Sequence, residues 1–470
     1  MDKKKPNILF IMSDDHALQA ITAYRPDHQV ATPGIDRIAQ NGMRFDNCLC
    51  TNSICSPSRA AILTGTYNHL NGVRNLELGL DSSLNNVAKV LHNHDYQTAI
   101  IGKWHLGTKP ENMPSGFDHY QIFRGQGEYY NPFFFTNEGE ITEEGYATEL
   151  ITEKTIKWLE ERDPDRPFFM MCHHKAPHRN WQPSPKYKDA YKHIQFRHPD
   201  NYNDDYATRG PNAEYAKMKV SELTEYDTKG PVPEGLSEQE IKDWKFQRYM
   251  EDYMATISSV DDSVGELLDY LEETGIADDT LVIYTSDQGF YIGEHGWFDK
   301  RFMYEESHHM PFLIQYPKAI PAGTVTEEMI LNIDFASLFL DYAGIDQGEL
   351  NGQGESFRAI VEAEADAKGY EHVYYRYYDY PNEHNVYPHY GIRGRRWKLI
   401  LFENPENKYG IGTYYWELYD LENDPSEMNN LYGQPGTETI VAELKEEMNR
   451  LREKYEENDP DWQEANPLPM

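Results

Sequence analysis

Hydrophobic positions along this chain fall into short solid runs more often than into alternating ones. Ile8-Leu9-Phe10-Ile11-Met12 is apolar throughout and stops abruptly at Ser13-Asp14-Asp15-His16. A run of that length with no polar face predicts a strand buried on both sides, the kind found in parallel sheets. The run from Thr280 to Thr285 repeats the pattern and again ends in acid, Ser286-Asp287-Gln288-Gly289. Between the two, the periodicity predicts a helix from about Thr32 to Asn41, with Thr32 as cap and Pro33 at its first position, and a strand from Met43 to Asn47. A helix launched from Pro57 through Ile62, a strand over Gln97 to Ile101 and a helix over Thr148 to Glu161 follow. A strand over Pro167 to Cys172 and a helix from about Phe246 to Thr274 complete the alternation, which predicts an α/β fold.

Two stretches break the rhythm. From Trp181 to about Lys245 Pro, Asp, Asn, Tyr and Lys dominate, which predicts a long surface insertion at about 181–245. Beyond residue 365 the segments Val373 to Tyr380, Gly391 to Phe402 and Tyr414 to Leu421 are rich in Tyr, Trp and Ile and predict a smaller antiparallel sheet. Thr437 to Glu457 is a charged amphipathic helix. The expected organisation is an N-terminal α/β catalytic domain over 1–360 and a smaller C-terminal α+β subdomain over 361–470.

Composition narrows the function. The 470 residues carry 79 Asp plus Glu against 44 Lys plus Arg, a formal charge of −35, which argues against nucleic acid and anionic membrane surfaces as partners. With 39% hydrophobic residues, 35 Tyr and 8 Trp the chain can fill a large core and is not disordered. No apolar run of about 18 residues occurs, so no membrane insertion is expected. Met1-Asp2-Lys3-Lys4-Lys5-Pro6 shows no signal-peptide core, which leaves a cytosolic protein or a trimmed leader. Cys48, Cys50, Cys55 and Cys172 make neither a disulfide scaffold nor a zinc ribbon.

In an open α/β sheet, ligands bind beyond the carboxyl ends of the strands. Asp14, Asp15, Asp287 and Gln288 all fall at such ends, and four oxygen donors including three carboxylates suit Ca²⁺ or Mg²⁺. A single pair of this kind would read as a turn or cap; two pairs after two buried strands point to a metal. In Cys55-Ser56-Pro57-Ser58-Arg59, Pro57 sets Cys55 at or just before a helix N-terminus, with Arg59 one turn along. That combination is an anion site holding a sulfur nucleophile, a directly acting thiolate on one reading; a small buried hydrophobe at a helix start is the bland alternative.

These residues carry a resemblance. Asn7 to Asp15 together with Cys55-Ser56-Pro57-Ser58-Arg59-Ala60-Ala61-Ile62-Leu63-Thr64-Gly65 resembles the signature of type I, cysteine-type sulfatases of the alkaline phosphatase superfamily. Gly102-Lys103-Trp104-His105-Leu106-Gly107, His174-Lys175-Ala176-Pro177-His178, Gly293-Glu294-His295-Gly296, Lys300 and Trp416 to Pro425 resemble later blocks of that family in the same order. The resemblance implies a large mixed, mostly parallel sheet sandwiched by helices, with a small C-terminal antiparallel sheet plus helix. It implies that a formylglycine-generating maturation enzyme oxidises Cys55 to formylglycine, whose hydrate attacks the sulfate ester beside a divalent cation. The implied metal ligands are Asp14, Asp15, Asp287, Gln288 and the modified Cys55, of which Gln288 departs from the Asn or His of many members. His178 is the implied acid for the leaving oxygen, and His105 takes the proton in the elimination that returns the aldehyde. By the same resemblance Lys103, Lys300 and the metal are expected to contact the sulfate, Arg59 to support the nucleophile, and Lys175 to bind substrate. His295, Glu294, His308 and His309 are expected as scaffold or support.

For substrate, Gly125 to Pro132 and Tyr377 to His389 with Arg393 suit sugar recognition as well as they suit turns and sheet. His173 to Trp181 and Gly125 to Pro132 resemble bacterial polysaccharide sulfatases, so the expected substrate is a sulfated carbohydrate, algal ulvan or carrageenan ahead of host mucin or glycosaminoglycan. Periplasmic or secreted location follows from the same resemblance. The alternatives are a phosphate ester hydrolase of the same superfamily and a catalytically silent glycan-binding relative.

Overall fold

The computed structural model describes residues 5–404 and 414–457. Residues 1–4, on which the question of a leader turns, lie outside them. The chain divides into two compact units, one holding the sequence up to Asp204 together with Lys217–Gly369, the other holding Asp205–Ala216 together with the chain from Tyr370.

The first unit is built on strands β1 (Asn7–Ser13), β2 (Met43–Leu49), β3 (Gln97–Gly102), β4 (His119–Phe123), β5 (Phe133–Thr136), β6 (Gly139–Thr142), β7 (Phe168–His173) and β8 (Thr280–Ser286). A two-residue ribbon follows, β9 (Tyr291–Ile292) with β10 (Phe298–Asp299), then β11 (Phe312–Gln315) and β12 (Thr324–Leu331). Ten of these form one sheet in the order β12-β2-β11-β8-β1-β7-β3-β4-β5-β6. From β8 to β4 neighbours run parallel, whereas β11 lies antiparallel between β2 and β8, and β5 and β6 add an antiparallel edge. The sheet is therefore mixed and mostly parallel, as expected.

Every position of β1 is buried, and its alternating side chains serve two different layers. Leu9 and Ile11 join Val260, Val264, Leu267 and Leu271 of the helix Glu238–Glu273 and Ile151 and Leu159 of the helix Ala147–Glu161. Phe10 points the other way, onto Phe335 and Phe339 of the helix Asp334–Tyr342.

Register then decides where the chemistry can sit. Ser13 pairs with Ser286 across β1 and β8, Met12 with His173 across β1 and β7, and Gly102 with His173 across β3 and β7. Four adjacent strands consequently end at one level. Asp14-Asp15, Asp287-Gln288, His174-Lys175 and Lys103 leave the sheet along the same edge. Gly102 is required there, since at φ +105° a Cβ would lie 1.9 Å from the carbonyl oxygen of His173.

The second unit carries β13 (His372–Tyr377), β14 (His389–Gly394), β15 (Trp397–Glu403) and β16 (Tyr414–Asp420), antiparallel in that order. The helix Glu438–Lys454 packs on it through Leu444, Met448 and Leu451. The β-segment expected over Gly391 to Phe402 is a hairpin of β14 and β15, turning at Arg395-Arg396. No helix among the described residues is long and apolar enough to cross a membrane.

The helix Pro33–Asn41 shows how distant elements complete one another. Its cap residue Thr32 makes no capping bond, and the N–H groups of Gly34 and Ile35 donate instead to Asp261 on the long helix, at 3.0 and 2.8 Å. At Gly34 a Cβ would meet the Asp261 carbonyl oxygen at 2.2 Å, so the helices cross in near backbone contact. Asp261→Ala leaves two buried donors unpaired and should cost about 1–3 kcal/mol, read as a lower urea midpoint; Asp261→Asn, which keeps one acceptor oxygen, should lose less.

Candidate active site

The carboxylates of Asp14, Asp15 and Asp287 are fully buried and offer ligand atoms within 4.8 Å of one another. Their backbone is pinned from three sides. Asp15 N–H donates to Asp287 Oδ1 at 3.2 Å, His16 N–H to Ser286 Oγ at 2.9 Å, and the hydroxyl of Tyr253 on the long helix to the Asp15 carbonyl at 2.8 Å. Asp15 adopts φ 67°, a left-handed conformation that Asp tolerates better than most residues. Burial pushes the Asp15 carboxyl up to about 7, against the pull of Lys300 and with Asp287 and Asp299 adding to the rise.

Gln288 completes this set. Its Nε2 donates to Asp15 Oδ1 at 2.5 Å, while its Oε1 is buried with no hydrogen-bond partner. An orphaned neutral oxygen beside three crowded carboxylates is the donor set of a hard divalent cation, and the residues present fit one.

Cys55 is the first residue of the helix Cys55–Thr64, in which every residue is buried. Its Sγ lies 3.5 Å from Asp14 Oδ1. Burial first, then Asp287 and Asp15, push the thiol up to about 12, with Lys300 and Arg59 opposing; unmodified, it stays protonated at neutral pH and is a poor nucleophile. Arg59, one turn along, donates through Nε to Asp287 Oδ2 and through Nη1 to the Lys103 carbonyl, each at 2.9 Å. Ser58 Oγ donates to the Asp287 carbonyl and accepts from Asn332 Nδ2 at 2.9 Å, which fixes the helix start against β8 and the end of β12.

The cations come from the neighbouring strand ends. Lys103 Nζ contacts Asp14 Oδ2 and donates to Gln126 Oε1 at 2.5 Å. Lys300 Nζ sits 2.7 Å from the Asp15 carboxylate, and Asp15 and Asp299 hold its pKa above the ordinary lysine range despite the burial that opposes them. Lys175 lies over the Tyr129 ring at 5.0 Å, its pKa drawn down to about 8 mainly by burial. His178 Nε2 is 3.8 Å from Asp15 Oδ2. His105, in a left-handed conformation at φ 55°, has a buried Nδ1 with no partner, and its carbonyl accepts from Ser56 Oγ at 2.6 Å. Burial, reinforced by the surrounding lysines, holds both imidazoles well below the ordinary histidine range.

The structure thus gathers Asp14, Asp15, Cys55, Arg59, Lys103, Lys300, Asp287 and Gln288 by direct contact, with His178 beside Asp15 and His105 beside the helix start. His389 and Arg393 belong to β14 of the second unit, where the His389 ring is stacked among Tyr375, Tyr377 and Phe402. His295 is buried with Nδ1 2.8 Å from Asp204, and His16 is paired with the Tyr284 hydroxyl at 2.6 Å. Residues not foreseen are Tyr253 and Asn332; Tyr129, singled out within Gly125 to Pro132 for sugar recognition, donates its hydroxyl to the His178 carbonyl at 2.7 Å. Asn332 immediately follows a strand, so the strand-end pattern would have found it had β12 been recognised.

A family model for sulfatases matches residues 6–345, and one for the C-terminal part of N-sulphoglucosamine sulphohydrolase matches residues 293–454. The chain belongs to the sulfatase family and is a sulfuric ester hydrolase. It is 41% identical to an N-acetylglucosamine-6-O-sulfatase of Bacteroides thetaiotaomicron, over 99% of this chain and 89% of that one. An ulvan-active sulfatase of Formosa agariphila is 26% identical over 95% of this chain and 81% of its own. A solved structure of a protein in complex with its substrate D-glucosamine-2-N,6-O-disulfate superposes with a TM-score of 0.91 at 41% identity, covering 97% of this chain and 99% of that one. The family and fold expected from the motifs are therefore those found, and the enzyme reading displaces that of a silent relative.

Cation binding here should register as stability. Chelator-stripped protein is expected to gain about 2.7 kcal/mol when Ca²⁺ reaches a hundred times its dissociation constant, read by calorimetry, and Asp287→Ala should abolish the gain. Indifference of the wild-type melt to millimolar Ca²⁺ and Mg²⁺ would refute the cation site.

Proposed function

We propose that the protein hydrolyses the 6-O-sulfate of glucosamine-type residues in sulfated glycans, using formylglycine made from Cys55 and a bound Ca²⁺. The reading rests above all on Cys55, a buried sulfur at a helix N-terminus that faces an acidic trio and has two histidines nearby. The substrate follows from the relatives whose names or bound ligands carry a glucosamine 6-sulfate, at 41% identity along nearly the whole chain. Against that, the ulvan-active relative at 26% identity gives the algal expectation less support, and the amino-sugar sulfate replaces it.

When present, formylglycine supplies a hydrate oxygen as nucleophile, and the cation neutralises charge on that oxygen and on the sulfate. Asp14, Asp15, Asp287 and Gln288 would hold the cation, while Arg59, braced on Asp287, turns positive charge toward position 55. Lys103, Lys300 and Lys175 would receive the sulfate oxygens, where preorganised cations act most strongly in a dry site. His178 Nε2 would protonate the sugar oxygen as its bond to sulfur breaks, and His105 would take the proton whose loss lets sulfate depart. In the free site burial, reinforced by the lysines, holds these imidazoles well below the ordinary histidine range; an anionic ester among the same lysines would offset their share and favour a protonated His178. A maturation enzyme that oxidises Cys55, and a periplasmic or extracellular location, belong to the same reading.

Sulfate release from desalted N-acetylglucosamine 6-sulfate and from heparan, mucin, ulvan and carrageenan oligosaccharides tests the substrate. Turnover of the amino-sugar sulfates with none on the algal polymers is expected, and the reverse ranking overturns the proposal. Paired aryl sulfate and aryl phosphate address the phosphatase alternative, for which a large phosphate preference would decide. Mass spectrometry of the Cys55 peptide after coexpression with a formylglycine-generating enzyme should show the aldehyde, Cys55→Ala should abolish turnover, and Lys103→Ala should lower kcat by about 10²–10³.

A further inference from the structure

The loop that presents His178 is tied to a segment that the chemistry above does not use. His178 Nδ1 lies 2.5 Å from the carbonyl oxygen of Arg179. A carbonyl only accepts, so Nδ1 carries the hydrogen and Nε2, the nitrogen facing Asp15, is left as the one that gains and loses a proton. The orientation of the ring is then set by wherever Arg179 is held.

Arg179 is held by Asp227, far along the chain in the stretch that had no periodicity. Its Nε donates to Asp227 Oδ1 at 2.7 Å and its Nη2 to Asp227 Oδ2 at 2.8 Å, a two-pronged pairing that fixes the guanidinium plane, which also lies over the Phe298 ring at 5.1 Å. The carboxylate is itself built in: Asp227 is 1% exposed and accepts from the N–H and hydroxyl of Thr224 at 2.8 and 2.9 Å. A second tie runs alongside, Asn180 Nδ2 donating to the Tyr226 carbonyl at 2.9 Å. Two consecutive residues after His178 are thus fastened to one short helical turn, Glu225–Thr228.

We propose that Asp227 is a positioning residue for His178, holding Arg179 so that its carbonyl aims Nε2 at the leaving oxygen. The inference rests on the proposed role of His178 as proton donor. The bond that needs help is the one between sulfur and the leaving oxygen: as it breaks, the electron pair goes to that oxygen and the Nε2 proton follows it. A sugar alkoxide is a poor leaving group and needs that proton, whereas 4-nitrophenolate leaves without it.

The experiment compares kcat on N-acetylglucosamine 6-sulfate and on 4-nitrophenyl sulfate for matured, full-length wild type, Asp227→Asn, Asp227→Glu, Arg179→Lys and His178→Ala. Asp227→Asn and Arg179→Lys should each lose about ten- to a hundredfold on the sugar sulfate while staying within about threefold on the aryl sulfate, with Asp227→Glu partly restored. His178→Ala should show the same split more strongly. If His178→Ala shows the split and both clamp variants lose the two activities equally or not at all, the role of Asp227 is overturned and that of His178 stands. If His178→Ala shows no split, the proton-donor reading fails and the inference falls with it. Thermal midpoints identify a variant that has failed to fold; Arg179→Lys, which keeps the charge and loses only the fork, then carries the comparison.

Discussion

The carboxylates of Asp14, Asp15 and Asp287 approach within 4.8 Å inside the protein, and at an effective dielectric near 20 each such pair repels by roughly 3 kcal/mol. Much of the neighbourhood answers that repulsion. Lys103 is drawn onto Asp14, Lys300 onto Asp15 and Arg59 onto Asp287, and their positions define the basic ring that an anionic ester would meet. On the function proposed above, Lys103 and Lys300 would serve two opposite charges, bracing acids on one side and facing sulfate on the other. A net charge of −35 does not contradict this. At physiological ionic strength charges beyond about 8 Å are largely screened, so the local arrangement governs binding while the acidic shell governs approach and solubility.

How much of this could be read from residues depends on whether a signal was local. Solid apolar runs ending in acid revealed β1 and β8, and with them the carboxylates, because a strand buried on both faces has no polar position to blur it. The motif around Cys55 was equally plain; the helix begins at Cys55 itself, which places the sulfur in its first turn. Short strands such as β11, with four residues between two neighbours, gave no usable period. The long helix starts at Glu238, ahead of the Phe246 where its apolar face begins, because Ser237 and Glu240 form a capping box that carries no hydrophobic signal.

Pairings across large sequence separations were out of reach for a different reason. Asp261 capping a helix at Gly34, Tyr253 holding Asp15, and Asp227 gripping Arg179 are each an ordinary polar residue on an ordinary element. Nothing in a single sequence marks such a partner, since its meaning exists only once the topology has brought it near. The left-handed conformations of Asp15 and His105 belong with these. Such backbone states cost on the order of 1–3 kcal/mol and persist where surrounding bonds over-determine them, which the ties on Asp15 and Ser56 illustrate.

The stretch between β7 and the long helix has one more property. Asp205–Ala216 is counted with the second unit although the chain on both sides of it belongs to the first. Within that unit Gly210 N–H donates to Glu417 at 2.7 Å, and Asn212 accepts from Tyr387 N–H at 2.8 Å while donating to the Asn385 carbonyl at 2.9 Å. These bonds of the second unit are thus made by residues synthesised some way ahead of its own strands. A fragment cut at residue 370 would lack Gly210 and Asn212 and leave Glu417, the Tyr387 N–H and the Asn385 carbonyl without these partners.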